Sequence, residues 1–116
     1  MPLDAFTLPR PTAYQAFGVS PTFDANVPMV TLRHKTGRCV ALPYFSLARA
    51  DFDPSLQAIE LAFGGAVVEL RGRNLESLFT ALSAHAVVTV DEATAPEAAL
   101  LPAAACVVER LAVRTE

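Results

Sequence analysis

Residues 57–71 read Gln-Ala-Ile-Glu-Leu-Ala-Phe, then Gly-Gly, then Ala-Val-Val-Glu-Leu-Arg, and no other stretch restricts the fold so strongly. Two alternating runs around a glycine pair specify a β-hairpin, with a two-residue turn expected to be of the primed type. Pairing Phe63 with Ala66 sets Leu61 opposite Val68 and Ile59 opposite Leu70, a continuous apolar face. The other face carries Ala62 with Val67, Glu60 with Glu69 and Ala58 with Arg71, and is expected to be wet. The chain must therefore build an antiparallel sheet covered on one side.

A second hairpin is legible upstream. Lys35-Thr36-Gly37 separates Val-Pro-Met-Val-Thr-Leu-Arg-His from Arg-Cys-Val-Ala-Leu-Pro-Tyr, with glycine where a type I turn plus G1 bulge needs a left-handed residue. Pairing His34 with Arg38 sets Leu32 opposite Val40 and Val30 opposite Leu42, again one apolar face. Pro43 should bend the second strand, and residues 44–48 resume it on another course before Asp53-Pro54 turns the chain. Downstream, Leu75, Leu78, Phe79 and Leu82 recur at helical spacing, which predicts one amphipathic helix over about 74–84 with Asn74 as N-cap and His85 near its end. Strands are expected at 86–90 and 106–113, and residues 91–105 read as an alanine- and proline-rich connection with room for one helical turn between Pro96 and Pro102.

Five of the nine prolines fall in residues 1–28, which forbids a long helix there and marks a proline-rich arm. Phe6, Leu8, Tyr14, Phe17 and Phe23 are too many large apolar groups for a solvated linker, so the arm should lie against its own domain, residues 29–116, or alternatively against a partner subunit. Pro-Arg-Pro at 9–11 has the form of a polyproline II ligand but is short and nonspecific. The chain is 53% apolar over 116 residues, yet 21 of those residues are alanine, so its apolar excess implies a modest core. It has no apolar run long enough for a membrane span, and its start lacks the basic and apolar regions of a secretory signal, so a cytoplasmic protein is expected, with no membrane partner.

Nine basic against twelve acidic residues give a net charge of −3, which removes the electrostatic attraction that nucleic-acid binders start from, and no nucleic-acid partner is expected. Cys39 and Cys106 lack any CxxC or Cys/His spacing and are expected as buried free thiols, not metal ligands. No cofactor is expected.

Three side-chain groups have chemical potential. Glu60 and Glu69, held opposite one another, could share a proton or bind a cation, although Arg71 lies diagonal to Glu60 and a solvated Glu-Arg-Glu face needs no function. Arg33 and Arg38 at one hairpin tip, with His34 and Lys35, and Arg71 and Arg73 around Gly72 before a helix, form a candidate anion site without the spacing of a P-loop. A Cys39/His34 dyad has poor geometry, since the two point to opposite sides of the strands. Tyr44 and Phe45, at the bend after Pro43, are candidates for core, pocket or interface.

Leu-Pro-Tyr-Phe-Ser-Leu at 42–47, Asp53-Pro54, and Gly-Arg-Asn-Leu-Glu-Ser-Leu at 72–78 resemble the pattern LPY-x2-L, DP, GRNL-x2-L of a group of small bacterial proteins with no established activity. The resemblance covers residues 40–90, about half the chain. It implies a bacterial source and a compact α+β module, and brings no catalytic residue with it. The expected fold is α+β: a curved antiparallel sheet or small open barrel of about six to seven strands with one helix. The expected function is a non-catalytic protein-interaction or oligomerisation module, whose partner is another protein or a second copy. The alternatives are a small-ligand or anion-binding domain using Arg33, Arg38, Arg71 and Arg73, and a small enzyme using Glu60 and Glu69.

Overall fold

The computed structural model describes residues 14–20 and 27–115. The fold is α+β, with eight strands and two helices among the described residues. The strands are β1 (Phe17–Val19), β2 (Met29–Arg33), β3 (Cys39–Pro43), β4 (Leu47–Asp53), β5 (Ala58–Phe63), β6 (Ala66–Arg73), β7 (Val87–Asp91) and β8 (Val107–Thr115); the helices are α1 (Glu76–Ser83) and α2 (Ala95–Leu100). They form two four-stranded sheets, β1-β7-β2-β3 and β4-β5-β6-β8.

Both hairpins keep the register that alternation dictates. Leu61 faces Val68, Ile59 faces Leu70 and Glu60 faces Glu69, while Leu32 faces Val40 and Val30 faces Leu42. Gly37 takes φ 96°, as the bulged turn requires. The Gly-Gly turn differs from expectation. Only Gly65 has positive φ, at 86°, which is the pattern of a type II turn and not of a primed one.

Three further expectations are corrected. The strands do not form one curved sheet or barrel: the 3-10 turn Tyr44–Ser46 separates β3 from β4 and sends them into different sheets. The first sheet is not wholly antiparallel, because β7 returns after the α1 crossover to lie parallel to β2, with Thr31 beside Thr89. The helix count is two, because the single helical turn expected between Pro96 and Pro102 is a helix, α2. Thr94 accepts a hydrogen bond from the Glu97 amide (3.2 Å) and its own amide donates to the Glu97 carboxylate (2.9 Å), a capping box that starts α2.

One core joins the sheets. Val30 and Leu32 from β2, Ile59 and Leu61 from β5, Val68 and Leu70 from β6 and Leu75, Leu78 and Leu82 around α1 are all fully buried in a single cluster. The start of α1 is built differently from the expectation. Asn74 adopts φ 56°, a left-handed conformation asparagine tolerates, and its side-chain amide donates to the carbonyls of Ala103 (2.8 Å) and Ala105 (2.9 Å). The cap is instead supplied by Gln57, whose side-chain oxygen accepts from the Leu75 amide at 2.9 Å.

The described part of the proline-rich arm packs on its own chain. β1 pairs antiparallel with β7, Ala16 is buried and Tyr14 and Phe17 pack against the core. Phe6, Leu8, Pro-Arg-Pro at 9–11 and Phe23 lie outside the described residues.

Both tyrosines tie distant segments together. The Tyr14 hydroxyl donates to the Asp91 carbonyl (2.8 Å) and accepts from the Val108 amide (3.0 Å); the Tyr44 hydroxyl donates to the Val87 carbonyl at 2.8 Å. Burial raises both phenols, Tyr44 to about 12 and Tyr14 further. A raised phenol pKa means that the unfolded chain loses its protons first, so this contribution to stability is complete below about pH 10 and is lost as the pH climbs through the folded values. In an absorbance titration the folded chain should show almost no phenolate near pH 10, and both groups should ionise together with unfolding at higher pH. Two phenols ionising independently at their ordinary pKa would contradict this.

Candidate functional site

The four arginines of the candidate anion site are placed separately. Arg33 meets Asp91 at 3.2 Å, Arg71 meets Glu69 at 3.0 Å, and Arg73 donates to the Ala98 carbonyl at 2.5 Å and lies 3.6 Å from Glu109. Arg38 is exposed at the tip of the β2-β3 hairpin. Three of the four therefore already face a carboxylate of their own chain.

A cleft of about 300 Å³ lies between residue 14, the hairpin tip and the end of β7, and Arg33, His34, Lys35, Asp91 and Glu92 line it. Its most buried carboxylate is fully engaged. Glu92, with a side chain only 7% exposed, accepts from the Lys35 amide (2.9 Å) and the Leu111 amide (3.1 Å) and lies 3.9 Å from His34 Nδ1. These contacts stitch the hairpin tip to β8, and they account for a buried acid without chemistry.

Glu60 and Glu69 stand on the outer face of the second sheet, in one row with Asp51 across β4, β5 and β6. With Asp53 and Pro54 they border a depression of about 480 Å³. Each member of the row is countered by an arginine: Asp51 by Arg49 at 2.8 Å, Glu60 by Arg114 at 3.5 Å and Glu69 by Arg71 at 3.0 Å. The alternating acids and arginines form a solvated ion-pair ladder. Among the described residues no group of three or more His, Cys, Asp or Glu side chains is arranged to hold a metal ion, and no helix is long and apolar enough to cross a membrane.

The cysteines divide. Cys106 is half-buried, and burial pushes its thiol up, away from nucleophilic character. Cys39 is exposed at the sheet edge, contrary to the expected burial, because it lies on the solvent side of a strand whose core positions are Val40 and Leu42.

The site that emerges is the turn between the sheets. Tyr44 is 3% exposed and its neighbour Phe45 is 90% exposed. The turn is pinned on every side: the Tyr44 amide donates to the Pro28 carbonyl (3.0 Å), the Gly64 amide to the Ser46 carbonyl (2.9 Å) and the Ser46 hydroxyl to the Pro43 carbonyl (3.1 Å). Tyr44 is further held by its bond to Val87 and by stacking on His85, with ring centroids 4.6 Å apart. Phe45 thus projects from a fixed backbone. Met29, at 43% exposure, stands at the same end of the first sheet, opposite Pro43. The bend after Pro43 marks the Tyr44-Phe45 pair in the sequence but does not divide it, because a 3-10 turn turns successive side chains to different sides. Comparison of the chain with protein-family models, curated proteins and solved structures finds no match.

Proposed function

We propose that the chain is a non-catalytic protein-interaction module of the bacterial cytoplasm, which docks a protein partner at the turn Tyr44–Ser46. The observation that carries this reading is Phe45: an aromatic ring 90% exposed on a backbone fixed by hydrogen bonds before any partner arrives. Interface energy concentrates in aromatic anchors, and an anchor whose backbone is already ordered loses little entropy on docking. The neutralised carboxylates and separately engaged arginines supply no competing catalytic or anion-binding constellation among the described residues. A net charge of −3 also speaks for a protein partner over nucleic acid.

The test is a photo-crosslinking side chain installed at position 45 in the native cell, with a second placed at exposed Leu56 as control. A discrete protein adduct is expected from position 45 and not from position 56. Equal labelling at both positions, or none at 45, removes the reading. Once the partner is isolated, Phe45→Ala should weaken its binding by about 2 kcal/mol, roughly 30-fold.

A further inference from the structure

Open sheet edges invite another strand, and proteins blunt them with short length, bulges, charge or a cover. Among the described residues the two sheets have four edges, and three of them carry such devices. β1 has three residues and a bulge. β4 has a register shift between Leu47 and Arg49 and places Arg49, Asp51 and Asp53 at alternate positions. The outer edge of β8 is occupied over Val108–Leu111: the Val108 amide donates to Tyr14, the Val108 carbonyl accepts from Ala93, and the Leu111 amide donates to Glu92.

β3 is different. It pairs regularly with β2 along all five residues, and Cys39-Val40-Ala41-Leu42 contains no charge. The Arg38 carbonyl accepts from the His34 amide at one end, and the Tyr44 amide donates to the Pro28 carbonyl at the other. Antiparallel alternation between these points turns the N–H and C=O groups of Cys39 and Ala41 away from β2. Both residues are exposed, and among the described residues no hydrogen bond reaches their outward backbone groups. Val40 and Leu42 lie on the core side but are only half-buried, and among the described strands none flanks them at the edge.

We infer that β3 is the dimerisation edge, pairing antiparallel with β3 of a second copy about a two-fold axis at Val40. This deepens, and rests on, the interaction reading of the neighbouring turn. In this register the outward groups of Cys39 face those of Ala41 in the partner and the reverse, so all four outward groups on each copy are used. A register centred on Ala41 would set Cys39 against Pro43, which lacks an N–H. The pairing brings Val40 against its symmetry mate and extends the half-covered apolar row into one continuous sheet. Charge favours the same arrangement. The basic tips, with Lys35 and Arg38, lie at opposite ends of the paired strands, so like charges do not face one another across the two-fold axis.

Light scattering and hydrogen exchange on the full chain test this. The wild type should show twice the 12.3 kDa chain mass, and the Cys39 and Ala41 amides should exchange more slowly as concentration rises. Ala41→Pro removes an outward N–H that the β2 ladder does not use; it should return the chain to monomer mass while keeping one cooperative melting transition, whose midpoint no longer rises with concentration. If that variant fails to fold, the concentration dependence of wild-type exchange decides. The inference is overturned by a monomer at every concentration, by a dimer that persists in a folded Ala41→Pro variant, or by protection of both amides independent of concentration, which would mean that the chain itself covers the edge. A wild-type monomer that still gives an adduct from position 45 overturns self-pairing alone, whereas loss of that adduct removes the interaction reading.

Discussion

Gly72→Ala should destabilise the chain by at least about 3 kcal/mol, and this is the largest effect expected of a single added methyl group here. A Cβ at Gly72 would lie 1.9 Å from the Val107 carbonyl oxygen, 2.9 Å from its carbon and 3.1 Å from the Glu109 nitrogen. All three are backbone atoms, so no rotamer change can relieve the contact. They belong to the bulge where Arg71 faces Arg110 but Gly72 faces Val108. Moving β8 aside would disturb the fully buried Val107 and Val108. Since a domain of this size has about 5–15 kcal/mol in total, chemical denaturation should show a large loss of midpoint or no cooperative transition. Gly64→Ala is the control. Its Cβ would meet only the Ser46 Cβ at 3.6 Å, an ordinary contact, and should change stability by less than about 0.5 kcal/mol. A near-neutral Gly72→Ala would mean that the bulge is not so tightly packed.

The same glycine shows what the sequence could and could not disclose. Arg71-Gly72-Arg73-Asn74 before a helix has the form of an anion-binding turn, and the glycine in it suggests a backbone shaped for a ligand. Its atoms are engaged by the chain itself: Gly72 makes room for β8, Arg73 reaches Ala98, and Asn74 holds Ala103 and Ala105. A motif gives residue types in order and leaves open whether their partner is a ligand or a distant segment of the same chain. The hairpins were legible because pairing across a short turn is local, and one register satisfies every apolar position. The division into two sheets was not, since it depends on the direction in which Tyr44–Ser46 sends the chain, and no apolar period records that direction. The second helix had a readable signal in Thr94 and Glu97. The proline spacing left room only for one helical turn between Pro96 and Pro102, whereas the capping box starts the helix at Ala95 and Pro96 fits its first turn, where a missing N–H is no loss.

Tyr44→Ala should cost about 3–5 kcal/mol, while Phe45→Ala, one residue along, should leave stability within about 0.5 kcal/mol. The contrast follows from where each ring lies. Tyr44 is 3% exposed, stacks on His85 and donates to the Val87 carbonyl. Removing it opens a cavity beside the core and leaves a buried carbonyl without its donor, two penalties that add. Tyr44→Phe separates them: it keeps the ring and should lose only the hydrogen-bond part, about 1–3 kcal/mol. Phe45, 90% exposed, contributes almost no buried area, so its truncation removes nothing that folding uses. If the turn serves docking, the two variants should exchange rank in a binding assay, with folded Phe45→Ala impaired and any folded fraction of Tyr44→Phe retaining its partner. Melting curves and the crosslinked partner's affinity, measured on the same three variants, decide the matter. A Phe45→Ala chain that melts several degrees lower would show that the ring is packed in solution. The turn would then be part of the core, with no anchor on display.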